Sequence, residues 1–254
     1  MSSLPSVDEF QIEHTLPRHV AIVMDGNSRW ASAQGKSVKA GHRAGVDAVR
    51  DLVDCSPSYG VEVLTLFAFS TENWQRPAYE VKTLMALLSW VLKVETPRLH
   101  ENNVRLKIIG NRDKFSKKVV SKIEDAERLT ADNTLMTVVI AVDYGGRWDI
   151  ANAAKQIAVD LVENKISEPQ ITEELVDQYI CLSDLPAPDL LIRTAGDRRI
   201  SNFMLWQFAY TELYFTDLYW PDFDEQAFKT ALFDFGTRHR RFGKRDAETT
   251  ELNE

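Results

Sequence analysis

The chain has 254 residues, is 44% hydrophobic and carries a formal net charge of −8, so it can bury the core of one large domain. That acidity excludes a general nucleic-acid or anionic-membrane surface, and any anionic ligand must meet a local basic cluster. There is no signal-peptide core, no run of ~20 apolar residues that could cross a bilayer, and no metal spacing between Cys55 and Cys181; a cytoplasmic protein is expected.

Residues 1–17 read as a flexible leader, 18–243 as a single domain and 244–254 as a polar tail. Val20–Met24 is an unbroken apolar run, as in a strand buried on both faces. It hands over to Asp25-Gly26-Asn27-Ser28, where glycine permits a tight turn and Asn or Ser can cap a helix starting near Arg29. Such a junction leaves backbone N–H groups at the carboxyl edge of a sheet, where an anion can sit. Asp25 and Arg29 there suit a diphosphate held with a divalent cation. Taken alone, the pattern suits a plain helix cap for Asp25 better.

Next come a basic, glycine-punctuated loop (Gly35–Arg43), a helix over 44–58 and a second buried strand, Val61–Phe69, ending in the polar segment Ser70–Pro77. A helix is predicted over 80–102. Its apolar positions, 81, 84, 85, 88, 91 and 92 with a second set at 87, 90 and 94, spread too widely for one face on a sheet. The helix is either sandwiched in the core, which periodicity alone favours, or lines an apolar cavity; Pro97 is expected to kink it. Strands over 104–110 and 135–142 bracket a charged helix over 114–131. The segment Asp143–Asp149 leads into a helix ending near 164. After a polar excursion (165–187, with a short helix at 172–180) come a strand at 189–193, the loop Thr194–Ser201, a sixth strand at 212–215 and a helix over 225–240. The alternation predicts an α/β fold: a single domain with a mostly parallel central sheet flanked by helices. Four strands end in polar, glycine-bearing loops, at the edge where sites of open parallel sheets gather.

Arg193, Arg198 and Arg199 cluster at one strand end beside Ser201. Guanidinium forks suit phosphate oxygens, although a solvated loop would look the same. His42 could carry a proton, contact phosphate or cap a helix. Trp74, Arg76 and Glu80 could bind a ligand, or be a packed aromatic, a surface cation and a first-turn carboxylate. Glu212 lies among aromatic residues and needs a partner; a cation shared with Asp25 is one candidate, and carboxylates without His or Cys suit Mg²⁺.

Together these stretches closely resemble the cis-prenyltransferases, the undecaprenyl diphosphate synthase family, over about residues 19–243. The resemblance rests on Val23-Met24-Asp25-Gly26-Asn27-Ser28-Arg29-Trp30-Ala31, Gly41-His42-Arg43-Ala44-Gly45 and Leu66 through Pro77. It continues through Asp143-Tyr144-Gly145-Gly146-Arg147-Trp148-Asp149, Asp189 through Trp206, Tyr210 through Phe215 and Trp220-Pro221-Asp222-Phe223. It implies that Asp25 holds Mg²⁺ with support from Glu212, and that Gly26, Asn27, Ser28 and Arg29 cradle an allylic diphosphate. Arg193, Arg199 and Ser201 would bind isopentenyl diphosphate. His42, Ser70, Asn73, Trp74, Arg76 and Glu80 would surround the reacting carbons, with Asp25, Asn73 and His42 catalytic. Trp30, Lys39, Thr71 and Glu72 would add substrate contacts. Arg241 and Gly243 match a signature that reaches the partner subunit, implying a homodimer.

The implied activity is addition of isopentenyl diphosphate in cis to farnesyl diphosphate, giving undecaprenyl diphosphate, the lipid carrier for peptidoglycan and other cell-wall sugars. The product would pass to the membrane, with the enzyme cytoplasmic or peripheral at its inner face. Three departures stand out: Val38 where arginine is frequent (with Lys36 and Lys39 nearby), Asp197 where glutamate is common, and Ser28 in place of a frequent glycine. A trans-prenyltransferase is excluded, because neither its Asp-Asp-x-x-Asp boxes nor an all-helical pattern is present. A phosphatase would want a second acid where Asn27 stands, and a non-catalytic partner subunit would be expected to lack Asp25 and the arginine cluster.

The chemistry agrees with these implications. Two diphosphates side by side repel by roughly 3 kcal/mol per charge pair at ~5 Å and an effective dielectric of about 20. Mg²⁺, Arg29, Arg193, Arg199 and backbone amides would oppose that repulsion. A growing prenyl chain gains up to ~4 kcal/mol per five-carbon unit buried, so helix 80–102 would become a tunnel wall. Met136, roughly 23 Å back from Asp143 at ~3.3 Å per residue, would stand near the blind end.

Overall fold

Val20, Ala21 and Ile22 are wholly buried because β1 (His19–Val23) lies inside a sheet with a strand on either side. The computed structural model describes Ser6 and residues 15–238. The remaining strands are β2 (Val63–Ser70), β3 (Val104–Ile109), β4 (Met136–Tyr144), β5 (Leu190–Arg193) and β6 (Glu212–Phe215). Their order is β3-β4-β2-β1-β5-β6, and every pairing is parallel. β1 pairs with β2 from His19↔Val63 and with β5 from Val20↔Leu190, which brings Val23, Phe67 and Arg193 level at the carboxyl edge.

Helices cover both faces, as a parallel sheet requires. They are α1 (Asn27–Ala33), α2 (Val38–Cys55), α3 (Ala78–Glu101), α4 (Lys117–Leu129), α5 (Gly146–Val162), α6 (Glu173–Tyr179) and α7 (Glu225–Gly236). Alternate residues of each strand serve opposite cores. Val20, Ile22, Leu64, Leu66, Val138, Leu190 and Ile192 join the larger core with residues of α2, α3 and α7. Ala21, Val23, Val139, Ala141 and Leu191 join a smaller, aromatic core with Tyr144, Phe203, Met204 and Phe208. The expected single α/β domain is borne out.

Two segments differ from the sequence reading, the start of α2 and the end of β4. The basic loop ends early, because Ser37 caps α2 by accepting from the Ala40 N–H and the helix starts at Val38. Gly41 and Gly45 therefore lie within a helix, where Asn27 crowds them: a Cβ on Gly41 would meet the Asn27 carbonyl oxygen at 2.2 Å, and one on Gly45 its side-chain Oδ1 at 2.4 Å. α3 runs unbroken through Pro97. β4 extends through Asp143, which takes φ 51°.

Candidate active site

Asp25 follows β1 directly, and Thr194 fixes its backbone from the end of β5. The Asp25 N–H donates to Thr194 Oγ1 at 2.9 Å, and that hydroxyl donates to the Asp25 carbonyl at 2.8 Å. Gly26 turns the chain with φ 103°; a Cβ there would meet Tyr219 at 2.8 Å and Ala195 at 2.9 Å, so only glycine fits. No side chain caps α1, which leaves its first-turn amides open to an anion.

The Asp25 carboxylate accepts from Gly26 N at 2.8 Å and from Arg193 Nη2 at 3.0 Å, with Arg29 Nη2 3.3 Å away. Burial would raise its pKa, but Arg193 and Arg29 outweigh burial and hold it below the ordinary value. Arg193 is almost fully buried and donates from Nη1 to the Arg199 carbonyl (2.5 Å) and Ser201 Oγ (2.6 Å). Its Nε has no protein partner.

Asp197, which the sequence marked only as a departure, completes the cluster. Its oxygens lie 2.8 Å from Arg199 Nη1, 3.4 Å from Arg193 Nη2 and 3.7 Å from Arg29 Nη2. Two carboxylates and three guanidinia thus alternate around one point.

The loop after β2 forms the opposite wall. Ser70 and Asn73 make a reciprocal capping box, with the Ser70 N–H donating to Asn73 Oδ1 at 3.0 Å. Arg76 pairs with Glu80 at 2.8 Å. Glu72 accepts from Thr71 Oγ1 at 3.1 Å and from Asn202 Nδ2 at 2.8 Å; burial works against ionisation, but Asn202 and neighbouring donors hold its pKa down. Asn202, which no sequence signal picked out, also accepts from the N–H groups of Gly146 and Arg147, at 2.6 and 2.9 Å. It therefore joins the loops after β2, β4 and β5. His42 lies nearby with an unpartnered Nε2. Burial lowers its pKa, with Glu80 opposing and Arg76 assisting, so the imidazole is neutral at pH 7.

A cavity of about 910 Å³ starts at this cluster and runs between α2, α3 and the sheet. Asp25, Gly26, Asn27, Ser28, Arg29, His42, Ser70, Glu72, Asn73, Arg76, Glu80, Arg193, Arg199 and Ser201 line its polar end. Beyond them the wall is mostly apolar: Val46, Val49 and Val53 of α2; Leu84, Leu88 and Leu92 of α3; Val138, Ile140 and Val142 of β4. The wide apolar pattern of α3 is thus that of a cavity wall. Met136 is buried in the core one pleat behind Val138, outside the lining.

Other predicted residues stand apart. Trp30 donates to Asp222 Oδ1 at 2.7 Å and carries Lys36 over its ring, and Lys39 is exposed in the first turn of α2. Trp74 packs edge-on to Phe69, with its indole N–H pointing at the buried Asp143 carboxyl without a well-formed hydrogen bond. Trp30, Lys39, Thr71 and Trp74 do not line the cavity. Glu212 begins β6, at the amino edge level with Leu190, and pairs with Arg238 at 3.0 Å. Within one chain it is not brought to Asp25, because a parallel strand starts at the edge opposite to the one where its neighbours end. Arg241 and Gly243 lie outside the described residues.

Among the described residues no group of three or more His, Cys, Asp or Glu could enclose a metal ion. Asp25 and Asp197 would be the carboxylates to hold a cation that completes its shell with diphosphate and water, as Mg²⁺ prefers. No described helix is long and apolar enough to cross a membrane.

Residues 23–243 match the family model described as putative undecaprenyl diphosphate synthase. The chain belongs to the undecaprenyl diphosphate synthase family. Its similarity to curated members of that family is extensive. It is 52% identical over 226 residues to the farnesyl-diphosphate-specific ditrans,polycis-undecaprenyl-diphosphate synthase of Escherichia coli K12, covering 89% of each chain. With the enzyme of the same name from Pseudomonas putida it shares 53% identity over 230 residues, 91% of this chain and 92% of that one. Two solved structures share the fold. One is lavandulyl diphosphate synthase from Lavandula x intermedia in complex with dimethylallyl diphosphate (TM-score 0.87, 35% identity, 90% of this chain and 99% of that one). The other is a probable undecaprenyl diphosphate synthase from Campylobacter jejuni (TM-score 0.76, 34% identity, 91% and 100%). The cis-prenyltransferase family expected from the motifs is thereby borne out.

Proposed function

We propose that this member of the undecaprenyl diphosphate synthase family adds isopentenyl diphosphate repeatedly, in cis, to farnesyl diphosphate and makes undecaprenyl diphosphate, with Mg²⁺ as cofactor. The observation that carries this reading is the continuity between a guanidinium-rich, carboxylate-bearing cluster and a long apolar cavity. One end suits diphosphates, the other a hydrocarbon chain, and their junction is where a new carbon–carbon bond must form.

In this reading Gly26, Asn27, Ser28 and Arg29 hold the allylic diphosphate, while Arg199, Ser201 and the unpartnered Nε of Arg193 face isopentenyl diphosphate. Mg²⁺ beside Asp25, when bound, supplies positive charge to the departing diphosphate. The ion pairs among Asp25, Asp197, Arg29, Arg193 and Arg199 preorganise the cluster, so little rearrangement is needed as charge develops. Asn73, fixed by its capping box, and His42 line the cavity at this junction, where they would help to move the proton lost in each condensation. The apolar wall excludes water that would intercept the allylic cation. A homodimer, with Arg241 and Gly243 reaching the partner subunit, and a cytoplasmic or membrane-peripheral location complete the proposal.

The test is incubation with farnesyl diphosphate, radiolabelled isopentenyl diphosphate and Mg²⁺, followed by extraction into butanol and sizing of the dephosphorylated products. A ladder ending near eleven isoprene units, abolished by EDTA and restored by Mg²⁺, is the expected result for a C55 carrier lipid. A single condensation product would sink the elongation reading, and absence of extractable label would sink the activity altogether.

A further inference from the structure

One wall of the cavity is closed by side chains alone. α2 and α3 flank it, yet their backbones make no extended close approach. What spans the seam is a ladder of charged contacts. From α2, Arg43 and Arg50 lie over the Trp90 ring of α3, at 5.2 and 5.9 Å from its centroid. Arg50 forks onto Glu95, with Nε 3.0 Å from Oε2 and Nη2 on the other oxygen, while Asp47 steadies it at 2.7 Å. One turn further, Arg98 bonds to Asp54 across the seam and lies 3.9 Å from Glu95.

Arg50, Glu95 and Arg98 also line the cavity. The Glu95 side chain is 11% exposed, whereas those of Arg98 and Asp54 are 33% and 49% exposed. A single layer of side chains therefore separates the apolar interior from solvent here. Hydrocarbon gains nothing from charged groups, so these residues are poor material for gripping a chain. They suit a seam that must part. Water solvates each ion as the pair separates, whereas an apolar seam would expose hydrocarbon on opening. The diphosphate cluster fills the polar end of the cavity, and a long chain leaving that way must drag its whole length past it.

We propose that the α2–α3 seam, latched by Arg50–Glu95 and Arg98–Asp54, is a lateral gate through which the finished prenyl chain passes to a lipid phase, so that latch strength sets when elongation stops. The proposal rests on the elongation reading above. Loosening the latch should speed release and shorten the product together, because each chain has less time to grow.

Glu95→Gln and Asp54→Asn are compared with wild type in single-turnover and steady-state assays, with farnesyl and labelled isopentenyl diphosphates, Mg²⁺ and phosphatidylcholine vesicles. The ratio of steady-state to single-turnover rate is expected to rise about threefold in each, with product sizes shifted downward by one or more units. Asp54→Glu, which keeps the charge facing Arg98, should stay near wild type in both readouts. Unchanged ratio and sizes in folded Glu95→Gln and Asp54→Asn, or sizes that Asp54→Glu alters as much as Asp54→Asn does, would overturn the gate. Should Glu95→Gln not fold, Asp54→Asn at the solvent-facing end decides the matter by the same readouts. A wild type that makes no polyprenyl product overturns the elongation reading and the gate with it; an elongating wild type with unmoved variants overturns the gate alone.

Discussion

Arg193 at the end of β5 donates to the Asp25 carboxylate at the end of β1, 3.0 Å apart, so one ion pair ties two neighbouring strands beneath the cavity mouth. Asp25→Asn is expected to lower turnover by several orders of magnitude but the melting temperature at pH 7 only modestly, because Arg193 keeps Asp197, Ser201 and the Arg199 carbonyl. Because the Asp25 pKa is depressed in the fold, its contribution to stability is present at neutral pH. It is lost as pH falls through that lowered value, below the unfolded pKa of about 3.9. Melting curves of the wild type should therefore decline in acid more steeply than those of the variant. Near-normal turnover in folded Asp25→Asn would remove the residue from the mechanism.

Arg193 and Arg199 should respond differently to truncation. The Arg199 guanidinium is exposed and pairs with Asp197, so Arg199→Ala should raise the KM for isopentenyl diphosphate, as loss of about 1.5–3 kcal/mol of charge-assisted binding would. Arg193→Ala strips partners from Asp25 and Asp197 at once, and should lower kcat and destabilise the fold by up to about 3–5 kcal/mol. Substrate-saturation curves with thermal melts separate the two. Equal, purely KM effects would show that Arg193 acts only as a ligand contact.

Val138 is the β4 residue lining the cavity farthest from the site. Val138→Phe should shorten the dephosphorylated products by filling space, at about 1–3 kcal/mol of overpacking strain. Met136→Ala is the companion: it should lengthen them only if the cavity extends through the place its side chain leaves. Sizing both product ladders beside wild type checks each outcome.

Asp143 is buried with both oxygens unpartnered, and burial raises its pKa against the opposing effects of Trp74 and Lys114. A raised carboxyl contributes fully below its unfolded pKa, and that contribution is lost as pH climbs through the folded value. Asp143→Asn should thus melt higher than wild type at pH 7–8, with the gap closing toward pH 4. A gap independent of pH would mean that the carboxyl does not change its charge.

The strands were legible because a parallel sheet buries both faces, and runs such as Val20–Val23 and Val138–Val142 have no polar interruption. The cluster around Asp25 and Arg193 was legible as strand ends followed by polar residues. The start of α2 was not: Gly41 looks like loop punctuation, but it lies within the helix, and the Asn27 carbonyl is what excludes a side chain there. Asn202 escaped notice because its partner Glu72 lies on another strand's loop, and Asp197 was marked only as a departure because its approach to Arg29 joins two loops far apart in the chain. Glu212 opens the strand expected at 212–215, but its motif says nothing of strand direction, and a residue at the start of a parallel strand faces the edge opposite Asp25 within one chain.

Asn202, left-handed at φ 59° and bonded to Glu72, Gly146 and Arg147, makes three loops a single mechanical unit. None of them can fluctuate open without breaking bonds to the others. Amide hydrogens of the Glu72, Gly146 and Asn202 segments should therefore exchange with solvent in one correlated event, and a ligand ordering one loop should slow exchange in all three.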